Sequence, residues 1–270
     1  MIKVVICGIG GRVCGRIAHL VGDADGMELS GGVEVATFPA IGKDIGEVVG
    51  APNMGVHLVD DLSQVVDPAS VVVAFTAPPE GTVEAAAICG ERGTPMVIGT
   101  TGLSRAQEGA IRDSLKDVAC VYSANFSVGV TVLRALVQQA ASILGDAFDV
   151  EIIEMHHHFK KDAPSGTALA LAEAAAAGLE RNLADVGVYG RHGDTGARTK
   201  EEIGVHALRA GDVVGEHTVL FGGTGETIRL EHRAQSRDTF AAGAVRAVRF
   251  AATADPGMYD MPDVLGIKEA

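Results

Sequence analysis

The chain has 270 residues, 47% hydrophobic and 21% charged, the balance of a folded protein with one large core or two modest ones. A formal net charge of −13 argues against nucleic acid as a partner, because phosphate binding needs a basic surface. It leaves a small anionic ligand open, since such binding depends on local charge.

The four cysteines, Cys7, Cys14, Cys89 and Cys120, show no paired spacing; Cys7 and Cys120 sit in apolar, strand-like runs and read as buried free thiols, which fits a reducing cytoplasm. The sequence opens directly on a strand pattern, so no leader peptide is expected. No apolar run is read as nearing the ~20 residues of a membrane span, and no membrane partner is expected.

Lys3 to Cys7 reads as a buried strand, and Gly8, Ile9, Gly10, Gly11, Arg12 and Val13 as a glycine loop opening a helix. This order suits a dinucleotide: the glycines let the backbone approach a pyrophosphate resting at the helix N-terminus. Many such turns bind nothing, and the Gly-Lys-Ser/Thr of a P-loop is missing. A second strand, Met27 to Glu34, ends in a carboxylate at the distance where an acid takes ribose hydroxyls. Glu34 would repel the 2′-phosphate of NADP unless Lys43 or Arg12 reached round, so NADH is expected over NADPH. The alternative for Glu34 is a solvated strand end.

Val71 to Thr76 is a continuous apolar run typical of a parallel strand covered on both faces. A helix follows through Val83 to Cys89. Two further strands end in Gly99-Thr100-Thr101-Gly102 and in Ser123-Ala124-Asn125-Phe126-Ser127. Ligands of open α/β sheets bind beyond the carboxyl ends of strands, so these loops are expected to line one crevice with Gly8 to Val13. Alone, each is only a strand-end turn.

Val130 to Leu144 has apolar residues at helical spacing. Val150 to Met155 reads as a strand, followed by His156, His157, His158, Phe159, Lys160 and Lys161. Asp162-Ala-Pro-Ser-Gly-Thr is turn chemistry before an alanine-rich helix, with Ser165 as N-cap. The amides near Gly166 and Thr167, with the helix dipole, make a site for an anion. Imidazole and ammonium groups beside it suit an anionic substrate that gains or loses a proton. The plain alternative is a solvated basic loop. A metal is not expected: on an extended strand at most His156 and His158 share a face, and no Cys or His lies at supporting spacing. Strand-like stretches near Ile203 to Arg209, His217 to Phe221 and Thr227 to Arg233 suggest a mainly antiparallel sheet. Phe240 to Ala252 reads as a helix returning to the first domain.

The segment Glu151 to Leu169 resembles the signature of the dihydrodipicolinate reductases, also called 4-hydroxy-tetrahydrodipicolinate reductases. That family carries Glu-x-His-His-x-x-Lys-x-Asp-Ala-Pro-Ser-Gly-Thr-Ala, matched at Glu154, His156, His157, Lys160 and Asp162 to Ala168. The Gly-Thr-Thr-Gly and Asn-Phe-Ser-x-Gly stretches resemble the family's loops flanking the nicotinamide ring. Three departures stand out: Cys14 where the family's last loop glycine falls, Val35 where Arg often follows the acid, and Ala77 where Arg can follow Phe-Thr.

The resemblance implies an α/β fold, with a Rossmann-like dinucleotide-binding domain (1–126 plus 237–270). A second, α+β domain for substrate binding and oligomerisation would cover 127–236. It implies reduction of 4-hydroxy-tetrahydrodipicolinate, via dihydrodipicolinate, by NADH or NADPH in lysine and diaminopimelate biosynthesis. It makes His156 and Lys160 the proton-handling pair, and His157, Gly166 and Thr167 the hold on a small cyclic dicarboxylate. It suggests a homotetramer built through the second domain's sheet. Arg209 to His217 and His232 to Arg237 also recur in the family, and are read as structural. Competing readings are an aspartate- or homoserine-type dehydrogenase, or a nucleotide sensor without chemistry.

Overall fold

The structure is a computed structural model describing residues 1–267; residues 268–270, assigned above to the first domain, lie outside the described residues. The chain forms two compact units, Met1–Val128 with Asp238–Gly266, and Gly129–Arg237.

The first unit runs β1 (Ile2–Cys7), α1 (Arg12–Gly22), β2 (Met27–Val33), α2 (Ile45–Val49), β3 (Leu58–Val59) and β4 (Ser70–Ala74). Next come α3 (Glu80–Arg92), β5 (Met96–Ile98), α4 (Arg105–Ser114) and β6 (Ala119–Tyr122). The second unit holds α5 (Val128–Leu144), β7 (Asp149–His156), α6 (Gly166–Gly178), α7 (Leu183–Val186) and β8 (Gly187–Tyr189). It ends with β9 (Ile203–Arg209), β10 (Gly215–Gly223) and β11 (Glu226–Ala234). The chain then returns to the first unit as α8 (Asp238–Ala251), β12 (Gly257–Tyr259) and α9 (Met261–Leu265).

The first sheet has the order β12-β6-β5-β4-β1-β2-β3, and every pairing in it is parallel. Its central strands are apolar on both faces because helices cover both. Val4 and Ile6 pack with Ile17 of α1 and Ala244 and Val248 of α8. Val5 and Cys7, pointing the other way, pack with Ala86 and Cys89 of α3 and Ile111 of α4. The winding direction reverses between β1 and β4, so the carboxyl edge there is where this architecture leaves a ligand crevice. α8 lies close to the sheet because Gly243 has no side chain: a Cβ there would stand 1.7 Å from the Phe126 carbonyl oxygen.

The second sheet has the order β11-β10-β7-β9-β8. It is mixed: β10 pairs antiparallel with β11 and β7, while β7–β9 and β9–β8 are parallel. The expected mainly antiparallel sheet is thus half parallel. The cause is the long crossover from β7 through α6, which returns the chain in the same direction. The glycine turns that suggested hairpins join only the later strands. On the inner face, Val150, Ile152, Val219 and Phe221 pack with Leu133 and Val137 of α5 and Leu171 of α6. Alanine suits α6 because the two helices touch: a Cβ on Gly178 would meet the Gln138 carbonyl at 2.3 Å.

Val128–Ala147 reaches 20 residues at a mean hydropathy of 1.4, which corrects the reading that no apolar run nears span length. Length and composition alone do not make a span. Leu133, Val137 and Ala141 of this helix are core residues of the second unit, and Arg134, Gln138 and Gln139 interrupt its apolar run.

Candidate active site

In the first unit, β1 is followed by Gly8, whose φ of +78° favours glycine. The Gly8 amide donates to the Val33 carbonyl at 2.9 Å and the Gly11 amide to the Gly8 carbonyl at 2.9 Å, so the loop is a closed turn. Gly10 lies against the Phe38 ring, where a Cβ would come within 2.7 Å, and donates to Glu34 Oε1 at 3.0 Å. Helix α1 then starts at Gly11 with no side-chain cap, leaving the Arg12 and Val13 turn as an uncapped positive helix end. Ile9 is 1% exposed, so its side chain belongs to the core and only its backbone faces the loop. Cys14 fits where a glycine was expected: its thiol donates to the Cys7 carbonyl at 3.4 Å. Burial pushes Cys14, Cys89 and Cys120 up to about 12 and raises Cys7 as well, so none is a nucleophile near neutral pH.

A cavity of about 700 Å³ opens over this turn, bounded by Gly8, Gly10, Gly11, Glu34, Phe38 and Thr76. Asp60, Asp61, Glu80 and Glu84 also line it, and none of its lining residues is Lys, Arg or His. Ala77, at the start of α3's loop, adds no charge. Lys43 and Arg12, the cations considered above, are not among the lining residues.

The carboxyl ends of β5 and β6 carry the other two loops on the same edge of the parallel sheet. Gly99 lies against Phe75, whose ring would be 2.0 Å from a Cβ. The Thr100 side chain is buried and bonded to Thr82 Oγ1 (2.6 Å) and the Thr76 amide (2.9 Å), so it ties strand ends together. Thr101 is exposed. Ser123 Oγ donates to the Asn125 carbonyl at 2.9 Å, and Asn125 Oδ1 accepts from the Ser127 amide at 2.8 Å, which shapes the Ser123-Ala124-Asn125-Phe126 turn. Ala124 is exposed. Phe126 is 1% exposed with its ring 5.1 Å from Phe75, so its side chain is core.

In the second unit, the inner face of β7 changes from apolar to polar at its carboxyl end: Val150 and Ile152 give way to Glu154 and His156. Sheet register places Glu154 opposite His217 of β10 and His156 beside Arg209 of β9. Glu154 is wholly buried. It accepts from His156 Nδ1 (2.6 Å), Arg209 Nη1 (2.9 Å) and the Ser165 amide (3.0 Å). Burial alone would raise its pKa, but the bonds from Arg209, His156 and the Ser165 amide prevail and hold it below the usual carboxylate range.

Ser165 caps α6 by accepting from the Ala168 amide at 3.1 Å, and its hydroxyl is 3.0 Å from His217 Nε2. His217 meets the His156 ring edge-on at 5.1 Å. Burial first, and His156 second, push His217 down to about 4, so it is neutral at pH 7. Gly166 opens the helix on an exposed face where a Cβ would meet nothing, with Thr167 next to it.

His157 is partly buried, and its amide donates to the Val213 carbonyl at 2.7 Å. His158 is exposed, its ring centroid 3.8 Å from that of Phe159 with the two planes tilted by 50°. His156 and His158 thus face different surroundings, and no group of three His, Cys, Asp or Glu fit for a metal occurs among the described residues. Lys160 Nζ donates to both oxygens of Asp162, at 2.9 and 3.0 Å, and this bond lowers the Asp162 pKa. Arg209 reaches the same turn, donating through Nη2 to the Asp162 carbonyl.

Glu154, Arg209 and His217 were not among the expected site residues. Alternation along β7 and β10 was the available signal for the first and last, since both fall on the core-facing parity.

Residues 2–126 match the family model for the N-terminus of dihydrodipicolinate reductase, and residues 129–265 the model for its C-terminus. A 4-hydroxy-tetrahydrodipicolinate reductase of Syntrophus aciditrophicus is 47% identical over 99% of this chain and 100% of its own. One from an Anaeromyxobacter species is 48% identical over the full length of both. Among solved structures, a dipicolinate-bound dihydrodipicolinate reductase from Paenisporosarcina sp. TG-14 superposes with a TM-score of 0.74 at 26% identity, covering 96% of this chain and 97% of that one. Two domain-length matches, full-length relatives near half identity and the shared two-unit fold give one conclusion: the chain belongs to the dihydrodipicolinate reductase family of pyridine-nucleotide-dependent oxidoreductases.

Proposed function

We propose that this enzyme reduces 4-hydroxy-tetrahydrodipicolinate, through its dihydro form, to tetrahydrodipicolinate in lysine and diaminopimelate biosynthesis. The observation that carries this reading is one buried carboxylate, Glu154, that bonds His156 and the Ser165 amide directly and reaches the Lys160–Asp162 turn through Arg209. The Paenisporosarcina relative, which binds the aromatic dicarboxylate dipicolinate, supports a cyclic dicarboxylate as substrate class.

The first unit suits a nicotinamide dinucleotide. Gly10 packs its backbone against Phe38 and Glu34 where no Cβ would fit, α1 presents an uncapped positive end, and Glu34 is held at the loop as an acceptor for ribose hydroxyls. When bound, that cofactor supplies a hydride. We assign its contacts to Gly8 through Val13, Glu34, Gly99–Thr101 and Ser123–Phe126, with Ile9, Thr100 and Phe126 acting through backbone. The five carboxylates of the cavity, with no cation among its lining, favour NADH over NADPH, whose added phosphate would be repelled.

In the second unit, His157 and the amides of Gly166 and Thr167 hold a substrate carboxylate at the start of α6. Lys160 places positive charge where the ring gathers electron density, and His156 with Lys160 delivers the proton to the ring carbon next to the reduced one. The role of residues 1–126 and 237–270 is then cofactor binding. That of 127–236 is substrate binding and assembly into a homotetramer, for which the outer sheet face carrying Ile153, Met155, Leu208 and Leu220 is the candidate surface. A cytoplasmic location follows from the free thiols and the biosynthetic role. The test is consumption of NADH by the wild-type protein with substrate made in situ by the preceding synthase. Turnover that requires the synthase supports the reading; NADH loss indifferent to it overturns the reading.

A further inference from the structure

On the reading that His156 handles a proton, we propose that Glu154 is a positioning residue that holds His156 in the Nδ1-protonated tautomer, making Nε2 the atom that gives and takes the proton. The ionised carboxylate has only acceptors to offer. The Oε2–Nδ1 distance of 2.6 Å therefore requires the ring's proton on Nδ1. Oε2 is shared with Arg209 Nη1, whose other nitrogen bonds the Asp162 carbonyl in the turn carrying Lys160. Oε1 takes the Ser165 amide, at the cap of the helix that offers Gly166 and Thr167. One carboxylate thus sets the ring of His156, the turn of Lys160 and the start of α6.

Its location leaves little freedom. Glu154 is wholly buried, and three charged or polar donors converge on two oxygens. The opposite nitrogen of His156 is kept uncovered by Gly215, where a Cβ would stand 3.0 Å from Nε2. Glutamine at 154 cannot serve all three donors. Its amide group must oppose either the Ser165 N–H or the pair formed by His156 Nδ1 and Arg209. In the second case it donates to Nδ1 and moves the ring proton to Nε2.

The experiment is nitrogen-15 NMR of histidine-labelled full-length protein at about pH 8, above the ordinary imidazole range, with His156 assigned by loss of its signal in His156→Asn. The wild-type ring should carry its proton on Nδ1. Glu154→Gln should move that proton to Nε2 in molecules whose amide nitrogen faces Nδ1, so that the tautomers mix, while the others leave the Ser165 N–H without its acceptor. It should also lower kcat by roughly 10- to 100-fold, as loss of an orienting partner does, with the KM for NADH unchanged. A wild-type proton on Nε2 overturns the proposal, as does a Glu154→Gln protein with unchanged tautomer and kcat. If Glu154→Gln does not fold, the wild-type spectrum and Gly215→Ala decide, the latter expected to lower kcat by crowding Nε2 while Nδ1 keeps its proton. Near-normal turnover in His156→Asn would sink the proton-handling reading instead, an outcome the tautomer spectrum distinguishes.

Discussion

In the first unit, the groups offered to a ligand are mostly main-chain amides on a glycine turn, backed by acids that face a cavity. In the second, they are side chains whose direction is set by partner side chains: buried Glu154 for His156, buried His217 for the Ser165 cap, and exposed Asp162 for Lys160. The first arrangement fails when a Cβ intrudes; the second fails when a buried partner is lost. The contrast matches the tasks proposed for them. Holding a pyrophosphate needs donors at fixed spacing, whereas moving a proton needs a defined protonation state as well.

The largest effect that tests this contrast is expected in the second unit and concerns stability against acid. His217 is held near 4, below its ordinary 6.5, so the unfolded chain binds the proton more readily between those values. Stability is therefore full above about 6.5 and falls as pH drops toward 4, by up to about 3 kcal/mol. His156, Glu154, His232 and Lys160 surround the ring, and Glu154 adds its own loss only below its unfolded 4.5. His217→Gln should flatten the urea midpoint between pH 6.5 and 4.5; an unchanged slope would remove His217 from the acid response.

Next in size is a break in the glycine turn. Gly10→Ala forces a methyl toward the Phe38 ring and Glu34 Oε1, and should weaken NADH by at least about tenfold, or roughly 1.4 kcal/mol. Its effect on the acid response of the second unit should be nil. Equal NADH affinity, measured by fluorescence titration, would deny the turn its role. The smallest effect sharpens cofactor choice: Glu34→Ala should weaken NADH several-fold, about 1 kcal/mol, and leave NADPH unchanged or improved. Equal loss of both, by the same titration, would break the ribose assignment.

Much of the first unit was legible because its signals are local. A buried β1, glycines at 8, 10 and 11 and an acid ending β2 each have one physical explanation, and the parallel sheet follows from apolar runs such as Val71 to Ala74. The side-chain fate of Ile9, Thr100 and Phe126 was not legible. A residue in a loop motif can serve by its backbone while its side chain fills the core, and only packing reveals which.

In the second unit, the Ser165 cap and α6 were legible from turn and helix chemistry. The β7–β9 pairing was not, because a parallel partner arrives after a long crossover rather than across a turn. The partnership of Arg209 with Glu154 depends on that pairing, so it was hidden too. His217 could have been suspected: it alternates with Val219 and Phe221 toward the core, and a buried imidazole needs a partner.

The measurement that bears most directly on the proposed chemistry is Lys160→Ala, assayed for turnover and for NADH binding in the same preparation. Turnover lower by about 10²- to 10⁴-fold, with the NADH dissociation constant unchanged, is the expected result. Near-normal turnover would contradict the assignment of proton handling to the His156 and Lys160 turn.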